Sequence, residues 1–115
     1  MEISTEKLKE FIQKKKENKE DFILIDVREP EELELYGKIE TAINIPLNDF
    51  EKTFQDKQKL KILGIDKKKK LVLYCRSGGR SNIATHYLKS KGYNANNYSG
   101  SILEWSKLSK DVKPY

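Results

Sequence analysis

The chain has 115 residues, with 23 Lys and Arg against 18 Asp and Glu and a net charge of +5. That length fits one domain, since domains cluster near ~100–150 residues, and 30 Ile, Leu, Val and Phe residues exceed the roughly 20 % below which chains tend to disorder. One Cys excludes an internal disulfide and one His excludes a zinc site of several Cys and His ligands; no apolar run approaches the ~18–20 residues of a membrane span, and the start MEISTEKLKEF is too charged for a signal peptide.

Ser4 or Thr5 caps a first helix in which Leu8, Phe11 and Ile12 recur at helical spacing, running to about Lys16 before a polar connection. Phe22–Val27 is a nearly continuous apolar run, the pattern of a strand covered on both faces as in a parallel sheet. Glu29-Pro30-Glu31-Glu32 places a proline near a first helical turn and acids at the positive end of the helix dipole; this short helix ends before Gly37. Ala42–Ile45 is a second strand stopped by Pro46. Asn48 or Asp49 caps one helical region in which Phe50 and Phe54 stack a turn apart, Leu60 and Leu63 extend the stripe, and Gly64 ends it.

Leu71–Cys75 is another buried strand. Arg80 or Ser81 opens a helix whose Ile83, Ala84, Tyr87 and Leu88 share one face, with His86 off that face and Gly92 as terminator. Ala95–Tyr98 reads as a further strand. Ile102, Trp105 and Leu108 mark a closing amphipathic helix with Trp105 in the core. Strands alternating with helices predict a single α/β domain over residues 1–115, an open, mostly parallel sheet with helices on both faces.

The charge is uneven: residues 1–56 carry 15 acids and 9 bases, residues 57–115 carry 3 acids and 14 bases. Seven lysines fall between Lys57 and Lys70, with no aromatic residue among them to stack on bases, so nucleic acid is not the expected partner. A solvated helix face followed by a polar turn accounts for the run. As a functional feature it supplies a positive field for small anions.

Cys75-Arg76-Ser77-Gly78-Gly79-Arg80-Ser81 is the informative segment. It lies between a strand and a helix, outside the carboxyl end of a parallel sheet, where ligands of open α/β folds bind. Paired glycines let the backbone curl with its N–H groups inward as an anion nest, and the following helix aims its positive end at the same point. A thiol among these donors and two arginines is biased toward thiolate. A lone Cys at a strand end is commonly a small buried hydrophobe. Glycines flanked by arginines, however, are a poor strand ending unless an anion is expected.

The chain resembles the single-domain rhodaneses, thiosulfate sulfurtransferase-like proteins. Cys75–Ser81 matches that family's active-site loop, and Asp26-Val27-Arg28-Glu29 matches its Asp-Val-Arg-Glu signature. Gly37-Lys38-Ile39 leading into Ala42–Pro46 resembles its Gly-His-Ile and Ala-Ile-Asn-Ile-Pro segment, and Gly100–Trp105 resembles its closing Gly-Gly-x-x-x-Trp. Lys38, Thr41 and Ser101 depart from the pattern, standing where the family has His, Gly and Gly.

The resemblance implies that Cys75 is the catalytic nucleophile and carries sulfane sulfur as a persulfide. The donor is a small anion such as thiosulfate and the acceptor cyanide or a thiol. The N–H groups of residues 76 to 80 stabilise the persulfide, so Arg76, Ser77, Gly78, Gly79 and Arg80 form the expected substrate-binding loop. The two arginines grip the donor's sulfonate; a tie from Arg80 to Asp26 is the alternative. Asp26 holds the loop or an arginine, Arg28 makes an ion pair or meets the substrate, and Ser81 supports the loop. No metal or organic cofactor is implied, and a cytoplasmic location is expected, a reducing setting that suits a free thiol.

Three other functions remain open. A cysteine-loop phosphatase or arsenate reductase of the kind this fold resembles has five residues between Cys and Arg, whereas four separate Cys75 from Arg80. A sulfur-relay carrier would exchange sulfur with proteins, its basic half docking an acidic partner. A non-catalytic binding module usually lacks the cysteine.

Overall fold

The structure, a computed structural model, describes residues 2–109 and Val112. Among them the chain runs β1 (Glu2–Ile3), α1 (Thr5–Lys16), β2 (Ile23–Asp26), α2 (Pro30–Tyr36), β3 (Ile43–Asn44), a 3-10 turn (Leu47–Asp49), α3 (Phe50–Gln55), α4 (Lys57–Leu63), β4 (Lys70–Tyr74), α5 (Gly79–Ser90), β5 (Asn94–Tyr98) and α6 (Ser101–Trp105). The strands form one all-parallel sheet in the order β1-β5-β4-β2-β3. β4 is central, and its Leu71, Val72, Leu73 and Tyr74 are wholly buried, which is why it reads as a continuous apolar run.

Successive residues of the strands feed two cores. Leu24, Val72 and Tyr74 pack with Leu8, Phe11 and Ile12 of α1 and with Ile102 and Trp105 of α6. Ile25, Leu71, Leu73 and Cys75 point the other way, onto Phe50, Leu60, Ala84 and Leu88 of α3, α4 and α5. Helices thus cover both faces of one α/β domain. Among the described residues no helix is long and apolar enough to cross a membrane.

Several elements differ from the sequence reading. The helical region expected from Asn48 or Asp49 to Gly64 breaks at Asp56, whose extended backbone lets its carboxylate accept the Lys59 N–H at 3.1 Å and start a new helix. Phe50 and Phe54 still stack, with centroids 5.0 Å apart. Ile83 is 61 % exposed, because α5 turns Ser81, Ala84, Thr85 and Leu88 toward the sheet instead. Leu108 lies beyond α6 and is 53 % exposed. β1 had no signature at two residues; it exists by pairing Glu2 with Asn97 and Ile3 with Tyr98. His86 is exposed and Trp105 buried, as expected.

Candidate active site

β2 and β4 are neighbours, but β2 leads through α2 to β3 on one side while β4 leads through α5 to β5 on the other. The diverging connections open a crevice at the carboxyl ends of these two strands. Cys75 is the first residue beyond β4, and residues 75–78 bridge to α5.

The loop must close tightly at Gly78. Its φ is +101°, and a Cβ there would stand 2.6 Å from the Ser99 carbonyl oxygen, so only glycine fits. This turn aims the Gly78 N–H at the Cys75 sulfur, 3.1 Å away. The Ser81 hydroxyl lies 3.5 Å from the same sulfur and 3.2 Å from the Gly78 carbonyl. Burial pushes the Cys75 thiol up, but the Ser81 hydroxyl and the N–H groups of Ser81, Gly78 and Ser77 outweigh it and hold the thiol below its usual range. Of the donors and arginines expected from the sequence to favour the thiolate, it is the hydrogen-bond donors that act on the sulfur here.

Cys75 is 1 % exposed, at the floor of the loop. α6 holds that floor from behind. The Ile102 N–H donates to the Cys75 carbonyl at 3.0 Å, and the Leu103 N–H to the Arg76 carbonyl at 3.1 Å. The Cys75 N–H donates to the Ser101 hydroxyl oxygen at 3.2 Å, and that hydroxyl donates to the Tyr98 carbonyl at 2.8 Å. Ser101 and Thr41, two of the three departures from the family pattern, have φ of +54° and +69°, where glycine is favoured. Ser101 offsets its strain with the two hydrogen bonds it makes. The third departure, Lys38, donates its ammonium to the Ala42 carbonyl at 3.0 Å.

For Asp26 and Arg28 the structure takes one of the two expected alternatives, an ion pair between them, whereas the alternative tie from Arg80 to Asp26 is not made. The Arg80 guanidinium forks onto Glu32 of α2, NH1 to Oε2 at 2.7 Å and NH2 to Oε1 at 3.0 Å. Asp26 holds Arg28 rather than the cysteine loop: the Arg28 N–H donates to Oδ1 at 2.9 Å and its NH2 to Oδ2 at 2.7 Å, both side chains being fully buried. Arg28 also donates to the Gly37 carbonyl at 2.8 Å and stacks on Tyr74 at 5.9 Å. It is a fully buried strut. Arg76, Ser77 and Gly79 are exposed. Sequence reasoning noted Glu32 as a first-turn acid and Ser101 as a serine in a glycine position but assigned neither a place at the site, because their partners Arg80 and the Cys75 N–H meet them only when the chain folds.

The model of the rhodanese-like domain family matches residues 4–108, nearly the whole described chain. The chain belongs to the rhodanese-like domain family. A protein of Schizosaccharomyces pombe that carries the provisional name of a mitochondrial thiosulfate sulfurtransferase is 44 % identical over 90 residues, covering 73 % of this chain and 63 % of its own length. The thiosulfate:glutathione sulfurtransferase of Saccharomyces cerevisiae is 34 % identical over 72 % of this rhodanese-like chain and 63 % of its own length, so this chain spans somewhat under two thirds of both proteins. The solved structure of the human single-domain sulfurtransferase TSTD1 superposes with a TM-score of 0.78 at 29 % identity, covering 95 % of this chain and 97 % of that one.

Proposed function

We propose that this rhodanese-like protein is a sulfurtransferase that moves sulfane sulfur from thiosulfate or a related donor, through a persulfide on Cys75, to cyanide or a thiol. The observation that carries this reading is the convergence of the Gly78 N–H and the Ser81 hydroxyl on a sulfur that hydrogen bonds bias toward thiolate. The names of the relatives support sulfur transfer as the class of reaction.

The Cys75 thiolate attacks the outer sulfur of thiosulfate. A new S–S bond forms, the donor's own S–S bond breaks, and sulfite leaves with that electron pair. The terminal persulfide sulfur is an anion at a buried site. The N–H groups of Ser77, Gly78 and Ser81, which already face the Cys75 sulfur, are the donors available to stabilise it without reorganising. Cyanide then attacks the outer sulfur, leaves as thiocyanate and restores the thiolate; a thiol acceptor leaves as its own persulfide. No separate general base is invoked, because the hydrogen bonds to the Cys75 sulfur themselves favour the thiolate. Arg76 and Arg80 are the residues proposed to draw the sulfonate end, since a planar fork suits an oxyanion. Four residues between Cys75 and Arg80 make a narrower cradle than the five of the phosphatase-type loops, which suits one sulfur atom better than a phosphoryl group.

Two half-reactions predict parallel double-reciprocal lines when thiosulfate and cyanide are both varied. Cys75→Ser is expected to bring thiocyanate formation down to the uncatalysed background while the thermal midpoint stays near that of the wild type. Turnover at the wild-type rate in this variant would overturn the assignment.

A further inference from the structure

The loop arginine proposed to meet the donor is already held by a carboxylate. Arg80 spends NH1 on one oxygen of Glu32 and NH2 on the other, and Oε2 of Glu32 also accepts the Glu29 N–H at 2.9 Å. The capping interaction fixes Glu32 on the first turn of α2, so the carboxylate stands beside the loop rather than swinging into solvent. The pair is only partly exposed, 36 % for the Arg80 side chain and 22 % for Glu32, so water does not fully screen it. A donor that binds to Arg80 therefore meets a cation whose field is offset by an adjacent negative charge.

Building on the sulfur-transfer reading above, we propose that Glu32 is a donor-selecting residue. By holding Arg80 in a bidentate fork it opposes a doubly charged donor such as thiosulfate and favours sulfane donors that carry one negative charge fewer. The repulsion between Glu32 and the donor scales with the donor's charge, whereas the hydrogen bonds around Cys75 recognise the transferred sulfur in any donor. Glu32 thus acts through Arg80 and does not touch the sulfur.

The test compares thiosulfate with methanethiosulfonate, whose terminal sulfur is attacked in the same way while a sulfinate leaves, with cyanide as the common acceptor. In Glu32→Gln the amide oxygen can still accept the Glu29 N–H, but the charge is gone. The KM for thiosulfate is expected to fall about fivefold more than that for methanethiosulfonate, the scale of one partly screened charge pair, with kcat little changed. Glu32→Asp, which keeps the charge, is expected to keep the wild-type preference. Arg80→Gln provides an independent readout: it leaves Glu32 uncompensated and should shift the preference the opposite way, further against thiosulfate. Equal changes for both donors in these variants would show a merely structural role and overturn the inference while leaving sulfur transfer intact. Failure of the wild type to accept sulfur from either donor would overturn the underlying reading and this inference with it.

Discussion

Ser81 is the side chain on which the reactivity of the thiol turns. Its hydroxyl is the strongest of the groups opposing the upward push of burial on Cys75, and it also bonds to the Gly78 carbonyl that shapes the loop. Ser81→Ala removes that donor, so the Cys75 pKa should rise. The sign is simple: a higher pKa means less thiolate at neutral pH. The rate of alkylation by iodoacetamide should half-rise at a higher pH in Ser81→Ala than in the wild type. An unchanged profile would remove Ser81 from this role. The cysteine and its loop were legible in the sequence because two glycines between arginines at a strand end have few structural uses. The origin of the thiol's activation was not, because which donors face a sulfur depends on how the loop closes. Glu32 was hidden for a related reason, since its partner Arg80 lies 48 positions away and meets it only when α2 folds against the loop.

Among the elements, the loop between β4 and α5 is inseparable from the turn between β5 and α6. Gly78 presses on the Ser99 carbonyl, and α6 donates to the carbonyls of Cys75 and Arg76. Gly78→Ala adds a Cβ where 2.6 Å is available at a φ of +101°. It is expected to lower stability by about 2 kcal/mol or more and to move the Gly78 N–H off the sulfur. Chemical denaturation checks the first effect and the pH profile of alkylation the second. The strong elements were legible, α1 and α5 from the helical spacing of their apolar residues and β2 and β4 from their continuous apolar runs. The break at Asp56 was not, since one apolar stripe runs through both α3 and α4 and only the cap on Lys59 separates them. Ile83 was misplaced because hydrophobicity alone assigns it inward, while the packing of α5 on β4 and β5 selects small residues at 81, 84 and 85. β1 is too short to have any periodicity and depends on β5 for its existence.

At the scale of the molecule, the acidic and basic halves are joined to each other. Asp21 pairs with Lys69 and Glu20 with Lys70, while Lys70 also lies 4.2 Å from the Phe11 ring centroid. Part of the lysine run, expected as a solvated face and polar turn, is thus used to pin β4 against the connection before β2. Hydrogen bonds from these lysines hold both carboxyls below their usual range. Their support is therefore present above the ordinary carboxylate pKa and is lost as pH falls through the lowered values. Solvent screens surface pairs of this kind, so each contributes little.

The buried Asp26–Arg28 pair is different in weight. It joins the end of β2 to the Gly37 carbonyl and to Tyr74, whose hydroxyl oxygen accepts the Ile39 N–H at 3.0 Å. Arg28→Ala leaves a buried carboxylate without its partner and is expected to cost about 3–5 kcal/mol in denaturant unfolding. Loss of turnover in that variant should follow loss of fold.

The central claim is that Cys75 holds a second sulfur atom, and intact-mass measurement tests it most directly. After incubation with thiosulfate and removal of excess donor, the wild type is expected to gain the mass of one sulfur, which cyanide or a reducing thiol then strips, while Cys75→Ser gains nothing. A wild-type chain that gains no sulfur, or a Cys75→Ser chain that gains one, would contradict the account.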